Sequence, residues 1–170
     1  MKTRGTTEGT GTAVQDARIV HPFAPVYDDN SRILILGTMP SPVSRESGFY
    51  YGHGQNRFWP VLAAVFSEPI PETTEQKRAL VLRHGIALWD VLYSCRISGA
   101  NDASIKEPVA NDLRIFPHIQ RIYTTGKTAW KLYNDLCFPL TNIPAVCLPS
   151  TSAANRGRWP LEKLFDAYKV

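Results

Sequence analysis

With 170 residues, 44% of them hydrophobic and 20% charged, the chain has the length of one domain and enough apolar material for a core. Its 19 Lys and Arg against 15 Asp and Glu leave a net charge of +4, compatible with a polyanionic partner without establishing one. Three cysteines with no CxxC pair argue against a disulfide framework, a structural zinc site or a four-cysteine iron–sulfur cluster, and no apolar run nears the ~20 residues of a membrane span.

Residues 1–20 are expected to be a disordered tail, because MKTRGTTEGTGT has neither an apolar segment nor periodicity. A single domain is expected over 21–170. It opens with HPFAPVYDDNSR (21–32), an extended lead-in with a turn at Asp28, Asp29 and Asn30. Ile33-Leu34-Ile35-Leu36 is apolar on both faces, which suits a buried parallel strand. A long loop over roughly 37–55 follows, and such loops in compact domains are usually functional or disordered.

RFWPVLAAVF (57–66) is a helix candidate with Asn56 as its N-cap. PETTEQKRALVLRHG (71–85) reads as a second helix, entered through Thr73 or Thr74 and closed by Gly85. IALWDVLYSC (86–95) is ambiguous between strand and helix, RISGANDASIKEP (96–108) reads as a polar loop, and PVANDLRIFPHI (108–119) as a short helix. RIYTT (121–125) is a strand, GKTAWKLYNDLC (126–137) a helix, IPAVCLP (143–149) a strand, PSTSAANRGRWP (149–160) a loop, and LEKLFDAYKV (161–170) an amphipathic helix. The alternation implies a three-layer α/β/α sandwich with a central, mostly parallel sheet.

In such sheets ligands bind outside the carboxyl ends of the strands. The loops at 37–55, 125–128 and 149–158 leave those ends and should converge. Gly126-Lys127-Thr128 is not a phosphate loop, because position 121, where the pattern needs a glycine, is Arg. No G-x-S-x-G elbow is present, and His21, His53, His84 and His118 show no spacing that places two on one helical face, so neither a hydrolase serine nor a metal site is expected. Three stretches remain. GTMPSP (37–42) is a rigid turn whose backbone N–H groups could meet a polar ligand. FYYGHGQNRFW (49–59) collects stacking aromatics, glycines for close backbone approach and one amide. PSTSAANRGR (149–158) is small and polar with two cations, suited to a phosphate backbone.

The blocks LILGTMPSPVSRESGFYYGHGQNRFW (34–59), LWDVLYSCRISGANDASI (88–105) and LPSTSAANRGRWPLEKL (148–164), in that order, resemble the uracil-DNA glycosylase superfamily, above all its hypoxanthine-DNA glycosylase branch. The resemblance implies the fold of that superfamily and a monofunctional DNA glycosylase of base excision repair. Such an enzyme hydrolyses the N-glycosidic bond of deaminated bases, here hypoxanthine, with uracil or xanthine behind it. It also implies no cofactor and no metal, DNA containing a damaged base as partner, no membrane, a monomeric state and a cytoplasmic location.

Residue by residue, the resemblance makes Asn56 the catalytic amide. Gly37, Thr38, Met39, Pro40 and Ser41 would form the base-binding turn, Tyr51 the stacking surface, and Thr125 would stand where relatives often carry a base-reading Asn. Ser150, Thr151, Ser152, Asn155, Arg156 and Arg158 would face DNA, with Arg156 a candidate to fill the space left by the flipped base. Met39 occupies the position of a water-handling Asn or Asp in the wider superfamily, and Leu148 that of a His or Asn. The alternative reading is therefore a non-catalytic member that binds DNA or a nucleobase.

Overall fold

The computed structural model describes residues 17–170. In chain order they form β1 (Ala17–Val20), β2 (Ile33–Gly37), α1 (Pro42–Ser47), α2 (Phe58–Val65), α3 (Thr74–Arg83), β3 (Ile86–Asp90), β4 (Leu92–Ile97), β5 (Lys106–Ala110), β6 (Arg121–Thr125), α4 (Lys127–Leu136), α5 (Phe138–Thr141), β7 (Ala145–Leu148) and α6 (Leu161–Ala167). Short 3-10 turns lie at Asp102–Ser104, Leu113–Ile115 and Ala153–Asn155.

All five residues of β2 are buried, as an apolar run without alternation requires of a strand covered on both faces. It pairs in parallel with β3 and β6, and β6 pairs in parallel with β7, giving the order β3-β2-β6-β7. Side chains alternate between the faces. Ile33, Ile35, Ile86 and Leu88 pack with Phe58 and Leu62 of α2, Leu80 of α3 and Leu164 of α6. Leu34, Leu36, Ala87 and Ile122 pack with Ala129 and Tyr133 of α4 on the other side. The expected three layers are present.

Thr73 begins α3 with a reciprocal capping box: its side chain accepts from the Gln76 N–H while the Gln76 side chain accepts from the Thr73 N–H. Gly85 follows that helix at φ +67°, a conformation that favours glycine. The stretch 86–95 resolves into two strands. Val91 separates β3 from β4, and β4 leaves the parallel sheet to join an antiparallel one of order β1-β4-β5.

Four expectations are corrected. Residues 17–20, assigned to a disordered tail, form β1 and pair with β4 from Ala17↔Ile97 to Val20↔Ser94; the rest of that tail lies outside the described residues. The polar loop expected at 96–108 is partly strand, and the helix expected from 108 is replaced by β5 and a single 3-10 turn. Pro108 is tolerated because β5 is an edge strand, where a missing N–H need not break a ladder. The N-cap position of α2 is Arg57, not Asn56, although the Asn56 side chain still accepts from the Phe58 N–H.

Candidate active site

The parallel strands end at Gly37, Asp90, Thr125 and Leu148, and a cleft opens above them. The turn Gly37, Thr38, Met39, Pro40 and Ser41 forms one wall, and Tyr51, Asn56, Thr125 and Ser150 line the same space. All the expected pocket residues thus converge, from three separate loops. The cleft continues past Asn56 as a groove between Gly99–Asp102 and Ser152–Ala154.

The backbone N–H groups of Met39 and Ser41 make no hydrogen bond among the described residues. Proline at 40 and the start of α1 keep Met39 and Ser41 out of any ladder, so their donors remain available to a ligand. The Met39 side chain is only 8% exposed and packs into the core beneath the cleft, contributing no polar group.

Asn56 is held by its oxygen. The Phe58 N–H donates to Oδ1 at 2.9 Å and the Thr151 hydroxyl at 2.8 Å. Because a backbone N–H can only donate, the amide orientation follows from the bonding. Both contacts use the carbonyl end, leaving the Nδ2 amino group with no partner among the described residues. Asn56 therefore presents hydrogen-bond donors to the cleft.

Tyr51 adopts a left-handed backbone, φ +52°, which is strained for a residue with a side chain. Two contacts over-determine it. Its ring stacks on Phe58 with centroids 3.8 Å apart, and its hydroxyl lies 3.2 Å from Thr125 Oγ1. One ring face is thus taken by the core. Burial, then the Asp90 charge, raise the phenol pKa well above its usual value, so the hydroxyl stays neutral.

Gly52 serves differently from expectation. Gly52 sits against α1: its N–H donates to Ser44 Oγ at 2.9 Å, and a Cβ there would come within 2.5 Å of Ser47 Oγ. Its bareness seats a loop on a helix and does not admit a ligand.

The 149–158 loop divides into an inner and an outer part. Thr151 is 1% exposed and turned inward to Asn56, so it is not the phosphate contact expected from the sequence. Ser150 lines the cleft and Ser152 the groove, while Asn155 ties the loop to itself through the Ser150 carbonyl at 2.9 Å. Arg156 and Arg158 are exposed. Arg156 reaches the Gln55 carbonyl at 3.4 Å beside the cleft, whereas Arg158 lines a separate hollow with Lys127 and Trp159.

Three residues at the site went unread in the sequence. Arg57 is 8% exposed and its guanidinium donates to the carbonyls of Trp159 and Ser152, clasping the loop to the start of α2. Asp90 and Asp102 both line the cleft. Burial of the Asp102 carboxyl raises its pKa, with Thr38 opposing the effect and the Asp90 charge adding to it. Among the described residues no group of three or more His, Cys, Asp or Glu side chains is arranged for a metal ion, and no helix is long and apolar enough to cross a membrane.

A family model for the uracil DNA glycosylase superfamily matches residues 24–169. The chain belongs to that superfamily. Two curated relatives, both named hypoxanthine DNA glycosylase, come from Methanosarcina barkeri and Methanosarcina acetivorans. They are 34% and 33% identical over 139 residues, 79% of this chain and 87% of each relative. A solution NMR structure of a Methanosarcina acetivorans protein carrying the uracil DNA glycosylase name superposes with a TM-score of 0.73 at 28% identity, covering 89% of this chain and 98% of that one. The superfamily match covers every loop that builds the cleft.

Proposed function

We propose that the protein is a monofunctional DNA glycosylase that hydrolyses the N-glycosidic bond of deaminated bases, hypoxanthine first and uracil second. The observation that carries this reading is Asn56: an amide fixed through its oxygen, with its amino group turned to a cleft at the strand ends. The names of the two Methanosarcina relatives support the choice of hypoxanthine.

The target nucleotide must leave the stack to reach such a cleft. As the bond from C1′ to the base nitrogen breaks, its electron pair goes to the base and positive charge develops on the sugar, as in glycoside hydrolysis. Water adds to C1′ through its oxygen and gives up a proton, and the departing base, which holds the bond's electron pair, takes one up to leave as the neutral base. Donors that meet the developing charge on the base lower the barrier. Asn56 Nδ2 and the N–H groups of Met39 and Ser41 are such donors. Tyr51, backed by Phe58, would support the flipped base, while Ser150, Ser152, Asn155, Arg156 and Arg158 would meet the DNA backbone. On this reading the protein needs no cofactor and acts as a monomer in the cytoplasm.

A single-turnover assay on a duplex carrying one deoxyinosine tests the proposal. Appearance of an abasic site supports it. Binding of that duplex without any abasic product overturns it in favour of a non-catalytic binding protein, the reading that Met39 and Leu148 suggest.

A further inference from the structure

Asp90 ends β3, and Gly37↔Asp90 is the last rung of its ladder with β2. Its side chain is 7% exposed. Oδ2 lies 2.7 Å from Nε2 of His21, a ring that is itself 2% exposed. Oδ1 makes no hydrogen bond among the described residues, yet it is not sealed off: it keeps a little accessible surface, and Asp90 lines the cleft. The same oxygen sits where a side chain on position 37 would be, 2.3 Å from a Cβ built on Gly37. Glycine thus makes room for a carboxylate oxygen at the cleft floor. A carboxylate oxygen with so little exposed surface and no protein donor is poorly solvated, and a ligand N–H would supply the missing bond.

His21 holds this arrangement from outside the family match at 24–169. Its backbone N–H donates to the Tyr93 carbonyl at 2.7 Å, and its ring packs edge-on against Phe23 at 4.9 Å. Nδ1 is buried without a partner, so the imidazole's one side-chain partner among the described residues is Asp90. The charges facing Asp90 across the cleft are few. Tyr50 and Tyr51 have phenol pKa values raised by burial and by Asp90, and burial likewise raises the Asp102 carboxyl.

We propose that Asp90 Oδ1 is the specificity-determining acceptor of the base pocket, reading the ring N–H that deamination creates, and that His21 is its positioning residue. This rests on the glycosylase reading above. Hypoxanthine presents N1–H beside the O6 carbonyl, and uracil presents N3–H between two carbonyls. Adenine and cytosine present a bare ring nitrogen at the corresponding place. A carboxylate oxygen accepts from the first pair and repels the lone pair of the second. The N–H groups of Met39 and Ser41 supply donors for the neighbouring carbonyl. Guanine shares the N1–H edge, so Asp90 does not reject it; its 2-amino group must be refused elsewhere.

The test compares single-turnover release of hypoxanthine, 1-methylhypoxanthine and adenine from the same duplex. Wild-type protein should release hypoxanthine ~100-fold or more faster than the methylated base, since a site built around a donor discriminates strongly against its loss. Asp90→Ala should lose hypoxanthine release by a similar factor and bring the two rates within about threefold of each other. His21→Ala should lower the ratio of the two rates by less, through a misplaced carboxylate, a change that a fold defect alone would not produce. Equal release of hypoxanthine and 1-methylhypoxanthine by wild-type protein overturns the role of Asp90 without any variant, as does an Asp90→Ala protein that keeps the wild-type ratio. Wild-type protein that releases no base at all overturns the glycosylase reading itself.

Discussion

The floor of the cleft and its rim are built on opposite principles. On the floor Asn56, Tyr51 and Asp90 each have one end fixed by a named partner: Thr151 and Phe58 for the first, Thr125 for the second, His21 for the third. On the rim Arg156 has one long bond to a carbonyl and Arg158 has no partner among the described residues. Chemistry at a bond needs atoms held in place before the substrate arrives. Contact with a phosphate chain tolerates side chains that settle on arrival. The contrast predicts that floor substitutions act on the flipped base, through its capture or its excision, while rim substitutions weaken the affinity for all DNA alike.

Asn56→Ala is the severest way to break that contrast. It should lower single-turnover excision at least ~100-fold, the scale of losing one positioned donor at a transition state, with DNA affinity unchanged. A variant of wild-type rate and lowered melting temperature would reduce Asn56 to a support for α2. Tyr51→Ala should weaken capture of the flipped base by about 1–3 kcal/mol, the range of base–aromatic stacking. Tyr51→Phe keeps the ring on Phe58 and loses one hydroxyl contact, so its cost should stay near 1 kcal/mol or below. Equal damage in both variants, measured as affinity for a duplex with a flipped-out base, would assign the function to the hydroxyl.

Thr151→Val sharpens the comparison within a single loop. It removes one of the two donors to Asn56 Oδ1 at nearly constant shape, and excision should slow roughly 5- to 10-fold, equivalent to about 1 kcal/mol. Salt dependence of binding should not move, since Thr151 is buried. A change in salt slope with unchanged rate would return Thr151 to the phosphates. Smallest in rate are Arg156→Ala and Arg158→Ala, each expected to lower the salt slope of DNA binding by about 1 and to weaken all sequences alike. If Arg156 also fills the vacated stack, its variant alone will lose single-turnover rate. Unchanged slopes in both would remove this loop from the DNA interface.

The legibility of these regions in the sequence follows their physics. Ile33 to Leu36 announces a central strand because nothing polar interrupts it, and Gly37 to Ser41 announces a turn through its proline. β5 is silent because KEPVA is mostly exposed and contains Pro108, which only its edge position excuses. Thr151 was indistinguishable from Ser150 and Ser152, since three adjacent hydroxyls give no sign of which one turns inward. Asp90 is a lone charge between Trp89 and Val91. Its signal was that charge inside the otherwise apolar run 86–92, the kind of residue that is seldom buried unless paired. The pairing residue, His21, lies 69 positions away, a distance no local pattern spans.

Arg57 gives the rim and the floor a common mechanical fate. Its guanidinium grips the carbonyls of Ser152 and Trp159, its own N–H donates to the Thr151 carbonyl at 3.1 Å, and its neighbour in the chain is Asn56. Burial and the nearby Arg156 charge lower its pKa, and its Nε is buried without an acceptor. A duplex that presses on the 149–158 loop therefore loads a lever whose fulcrum is one residue from the amide. Force applied at the rim reaches the floor across a single peptide unit.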